Sequence, residues 1–264
     1  MATLLERYDA GERRDVWNDL HALGPLSGAS AGVRQDVEAV AKRTMERVAS
    51  NLVVIHDRLV ALSFRFQDPE CSLVLANGRH PAELDVLEKY VGAVPASLRA
   101  LLGVIEGVSF RGWLPSRGSA DSWYDQFLDP FEFLPDVRGE IDRLEDDEVG
   151  PNDRDFRLTI AGDYLHKNDV SGGAPTVVPL PSDEVDARVI EDDGVWFKAY
   201  MANVIELGSR SDALDATPQQ VEQPIWLVDY LRMYFEAGGF RRVAGTTAYP
   251  EDLMRDLADG LLEI

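Results

Sequence analysis

Eight apolar residues, Val37, Ala41, Met45, Val48, Leu52, Ile55, Leu59 and Leu62, recur at spacings of three and four. That period belongs to a helix and to no strand. It predicts one long helix from about Val33 to Leu62, roughly eight turns at about 3.6 residues per turn. An apolar stripe of that length must be buried. It can pack on the rest of the chain, or it can pair with a coiled-coil partner or a second copy. One step of four plus four breaks a clean heptad pattern.

Around this helix the chain reads in order. Glu12 to Leu23 forms a shorter helix with Val16, Trp17 and Leu20 inward, ended by Gly24-Pro25. Gln67-Asp68-Pro69-Glu70 is polar and turn-like, so the predicted division is a helical region over 1–67 and a larger domain over 68–264. Leu84, Leu87 and Val91 mark a helix over Asp85–Val91. Pro95 is placed in the first turn of the next helix, where its missing N–H costs nothing. Leu98, Leu101, Leu102 and Ile105 extend that helix to Glu106, with Gly107 as the stop. Val108 to Phe133 reads as irregular and holds seven aromatics: Phe110, Trp113, Trp123, Tyr124, Phe127, Phe131 and Phe133. Pro135 to Glu148 reads as a helix.

The period then changes to two. Phe156–Ile160 alternates as a half-buried strand does. Asp163–Gly173 is a turn. Ala174–Pro181 is a second strand, put at an edge or a strand end by Pro175 and Pro179. Val185–Ile190 and Val195–Ala199 are a third and fourth. Gln223–Ala237 and Pro250–Leu262 are helices, the first closed by Gly238-Gly239. Helices, then antiparallel strands, then helix is an α+β order with a small helical region in front.

The stretch Leu87-Glu88-Lys89-Tyr90, Gly92, Val94-Pro95, Leu98-Arg99, Leu102 and Gly107 resembles the signature of the SUKH superfamily, which includes the Smi/Knr-type cell-wall regulator and bacterial toxin-immunity proteins. Val94 stands where leucine is usual. Ile160-Ala161-Gly162-Asp163, the Ser171-Gly172-Gly173 turn and Val177-Val178 resemble the family's central hairpin, and Trp226 to Phe235 its closing helix. The resemblance runs from about 84 to 240. It implies an antiparallel-rich sheet with packed helices and a protein-binding role, such as that of an immunity protein.

Charge points the same way. With 47 acids against 26 bases the net charge is −21. Such a surface repels nucleic acid and anionic membrane and draws basic partners; a basic toxin domain as that partner is what the resemblance implies. A single cysteine, Cys71, forms no internal disulfide and fits a reducing compartment. No apolar run approaches the ~20 residues of a membrane span. The first residues lack an apolar core and a cleavage site, so the expected location is the cytoplasm.

Catalytic motifs fare poorly. Gly28-Ala29-Ser30-Ala31-Gly32 has the G-x-S-x-G form, but a nucleophile elbow needs a strand before it, and none leads in. Ser30 therefore reads as the cap of the long helix. His21, His56, His80 and His166 are scattered and match no zinc spacing. No phosphate loop or dinucleotide fingerprint occurs, so no cofactor or metal is expected. The expected activity is non-enzymatic protein binding. Its contact residues would be Trp113, Trp123, Tyr124, Asp125, Phe127 and Asp129, where aromatics supply anchors and acids steer. The alternative is a carboxylate-dependent hydrolase with its site near the aromatic loop 110–133.

Overall fold

The computed structural model describes residues 2–114, 128–146, 156–161, 176–191, 224–242 and 251–264. Three helices come first: α1 (Leu4–Asp9), α2 (Arg13–Leu23) and α3 (Ala31–Ala61). Thr3 and Glu6 form a capping box at α1. The carboxylate of Asp36 on α3 then accepts from Leu4 N and Leu5 N at 2.7 and 3.2 Å, which docks that helix end. Ser30 caps α3 as expected, accepting from Val33 N at 3.4 Å.

The stripe on α3 is buried from Val37 to Leu59. Val40, Thr44 and Asn51 are buried too, so the covered face is broader than the stripe. The cover comes from this chain: α1, the helix Ala96–Leu102, the strand Leu73–Leu75 and the helix Glu251–Ala258 all contact α3. Packing in cis is thus the fate of this stripe. Leu62 is the exception, at 44% exposure.

Next come β1 (Arg65–Phe66), β2 (Leu73–Leu75), α4 (Arg79–Val91) and α5 (Ala96–Leu102). Pro95 is the cap of α5 and lies just outside its first turn. The helix ends at Gly103, and β3 (Ile105–Ser109) contains both Ile105 and Gly107, so Gly107 is not a helix stop. β3 lies between β2 and β6. A strand covered on both faces loses the two-residue alternation, and its apolar residues can then pass for the next turn of a helix. A Cβ at Gly107 would lie 3.0 Å from Leu134 Cδ2, the end of a half-exposed side chain.

The described parts of 108–133, residues 108–114 and 128–133, are also more regular than expected. β4 (Gly112–Trp113) pairs with β1, β5 (Leu128–Pro130) with β11 (Phe240–Arg242), and β6 (Glu132–Phe133) with β3. After α6 (Val137–Asp146) come β7 (Phe156–Ala161), β8 (Thr176–Leu180), β9 (Arg188–Glu191) and β10 (Ile225–Trp226). They form one antiparallel sheet in the order β10-β9-β8-β7. β8 is therefore an inner strand. β9 pairs with it only at Thr176 and Val177, so Pro179 sits past that pairing and its missing N–H breaks no bond there. α7 (Leu227–Glu236) starts four residues later than the spacing predicts, because Ile225 and Trp226 join the sheet. The last helix, α8, is Glu251–Ala258. The turn at 163–173 and the strand at 195–199 lie outside the described residues.

The fold is α+β, with antiparallel three- and four-stranded sheets and a helical N-terminal region. Leu134 N donates to Ile160 O at 2.7 Å where β6 and β7 approach. Buried apolar side chains form a single cluster from Tyr8 to Ile264 that spans position 67.

Candidate functional site

The aromatic stretch splits into two kinds of residue. Phe110, Phe131 and Phe133 are core, each at most 1% exposed. Trp113 lies in β4, in register with Arg65, and Asp129 lies in β5, in register with Arg241. Trp123, Tyr124, Asp125 and Phe127 lie outside the described residues. They belong to the chain that leaves β4 and returns at β5.

The two stems of this segment are locked together. Phe110 N donates to Phe131 O at 3.0 Å, and Phe131 N donates to Gly239 O at 2.9 Å. Gln67 N donates to Arg111 O at 2.8 Å. Beneath these bonds the Arg111 guanidinium donates to the Glu132 carboxylate, with the two residues 8% and 5% exposed. The Ser109 hydroxyl donates to the other Glu132 oxygen at 3.2 Å. A buried pair is tolerated only when its remaining lone pairs find donors, as Ser109 supplies here. Glu132 is thereby committed to holding the stems, which is poor use for the acid or base of a hydrolase.

At the edge of this clamp, His56 Nε2 lies 3.1 Å from Ser72 Oγ and its ring stacks on Phe66. The pair has nucleophile–base spacing. The Ser72 hydroxyl also donates to Pro69 O at 2.8 Å, which ties the serine to the turn at 69–72. Burial and then Asp68 push the neighbouring Cys71 thiol up, which lowers its thiolate fraction.

A second polar cluster was not legible in the sequence. His21 on α2 meets Asp186 at 3.0 Å, and its ring stacks on Trp226 with centroids 4.3 Å apart. The guanidinium of Arg188 lies over the same indole, 3.2 Å from its centroid. Asp186 is fully buried and also accepts from Val228 N at 3.3 Å. Its Oδ1 has no hydrogen bond of normal geometry. Burial consequently pushes the carboxyl above its ordinary value, against the opposing pull of His21 and Ser97. The cluster joins α2 to the four-stranded sheet and to the start of α7. The signal for it was an acid set between apolar neighbours, Val185-Asp186-Ala187.

Among the described residues, no group of three or more His, Cys, Asp or Glu side chains could hold a metal ion. None of the described helices is long and apolar enough to cross a membrane. No protein-family model matches the sequence, and no curated protein or solved structure matches it significantly.

Proposed function

We propose that the protein is a non-enzymatic binding module of the SUKH type that holds a basic protein partner in the cytoplasm, in the manner of an immunity protein that neutralises a basic toxin. One observation carries the reading. The acidic-aromatic run Trp123-Tyr124-Asp125-Gln126-Phe127-Leu128-Asp129 is tethered to stems clamped by the buried Arg111–Glu132 pair. Binding residues on a loop fixed by a rigid scaffold are the usual arrangement for recognition. A net charge of −21 would speed the approach of a basic protein, and tryptophan and tyrosine would anchor it.

The test is capture from the host's extract, with bound proteins identified by mass spectrometry after elution with salt. The expected outcome is a basic protein released as ionic strength rises, because screening shortens the reach of surface charge to about 8–10 Å at physiological salt. Capture of acidic proteins alone, or release indifferent to salt, contradicts the reading. Turnover of a carboxylic ester or a glycoside by the purified chain also contradicts it.

A further inference from the structure

Where α3 ends against α8, Arg58, Ala61, Leu62, Leu253, Asp256 and Leu257 line a pocket of about 270 Å³. Four of the six are apolar. Small-molecule sites usually start at about 300 Å³ and are mostly enclosed by their walls. This pocket has the size for one or two side chains of a protein.

Its exposure follows from how α3 stops. Ser63 takes a left-handed backbone, φ 58, and Phe64 N reaches back to Leu59 O at 2.9 Å. That reversal sends Phe64 into the core and leaves Leu62 in water at 44% exposure. A left-handed serine is a costly way to end a helix when glycine would serve.

Acids outnumber bases around the pocket, Asp57, Asp252, Asp256 and Asp259 against Arg58 and Arg255. Arg58 is engaged: its Nη1 donates to the carbonyls of Asp256, Leu257 and Asp259 at 3.1, 2.9 and 2.7 Å, closing the end of α8. Asp57 lies one turn before Ala61, with its side chain 74% exposed. Asp252 and Asp256 lie four residues apart on α8 and Asp259 just past its end, and all three are exposed. Arg255 is the base that the same helix carries against them.

We propose that this pocket docks a basic segment of another protein. The partner would seat one aliphatic or aromatic side chain among Ala61, Leu62, Leu253 and Leu257, with lysine or arginine facing Asp57, Asp252, Asp256 and Asp259. A second copy of this chain fits badly. A two-fold contact would bring the same acids face to face, on a surface already at −21. The proposal uses no residue of the aromatic segment and does not depend on the function proposed for it.

The probe is a 14-residue helical peptide of leucine and lysine only, titrated into isotope-labelled protein while amide shifts are followed. Shifts should concentrate at Ala61, Leu62, Leu253 and Leu257. Leu62→Ser, at an exposed site that leaves folding intact, should weaken binding at least fivefold. Val54→Ser, exposed on the same helix outside the pocket, should leave it unchanged. The pair Asp57→Asn with Asp256→Asn should weaken binding at low salt and make no difference at high salt. Equal binding of a leucine–glutamate peptide, shifts confined elsewhere, or unchanged affinity in Leu62→Ser would overturn the proposal. So would self-association, seen by sedimentation, that Leu62→Ser abolishes.

Discussion

At the stems of the aromatic segment the buried charges are a guanidinium and a carboxylate, 21 residues apart in sequence. At the junction of α2 with the sheet they are an imidazole and a carboxylate, 165 residues apart. Both tie distant pieces of chain together, and both sit beside aromatic rings. Arginine stays charged at every physiological pH, so the first tie is constant. The carboxyl of Asp186 is pushed above its ordinary value by burial, so the second tie depends on pH. A segment that binds a partner, as proposed for 123–129, would gain from the constant kind. Its stems keep one geometry, and less ordering is left to be done on contact.

The largest effect should come from breaking the constant pair. Glu132→Ala leaves the buried Arg111 with its main counter-ion gone and should cost about 3–5 kcal/mol, read as a shift in the urea midpoint. The double change Arg111→Met with Glu132→Leu removes both charges and should be far milder, because desolvation is then no longer paid on either side. Were the double variant as unstable as Glu132→Ala, the charges would be doing something other than clamping.

The conditional pair should respond to pH. The carboxyl of Asp186 is held above its ordinary 3.8. An acid raised in the native state binds its proton more tightly folded than unfolded. Its contribution to stability is therefore full below the ordinary value and is lost as pH rises through the raised one. Asp186→Asn removes that loss. The variant should gain ground on the natural protein as pH climbs above about 4, in urea midpoints taken at several pH values. A difference that moves the other way would mean that the imidazole, and not burial, rules the carboxyl.

Two small changes away from both clusters set the scale. Ser30→Ala should cost at most about 1 kcal/mol as a lost cap, and a fluorophosphonate probe should not label Ser30. Ser63→Gly should stabilise by up to about 1 kcal/mol, since glycine takes a left-handed backbone without strain. Thermal melting of the two variants should shift in opposite directions.

How much of this was legible depends on how often a signal repeats. α3 was readable because its stripe recurs across the whole helix and Ser30 marks its start. In the four-stranded sheet β7 showed through its alternation, Phe156 to Ala161. β3 was misread because both its faces are covered, and β10 left no signal because it has two residues. Aromatic density alone could not separate Phe110, Phe131 and Phe133, which are core, from the rest of that stretch. The buried pairs were invisible for a different reason. Sequence carries no period that links Arg111 to Glu132 or His21 to Asp186; only the folded chain brings them together.

The most direct test of the binding role uses Trp123→Ala with the basic protein captured from the host. Melting and association kinetics are measured on the same variant. The account predicts an unchanged melting temperature and a faster dissociation rate, because an anchor is lost while the clamp below it stays whole. A lowered melting temperature with unchanged binding by the folded fraction would make Trp123 a core residue and contradict the account.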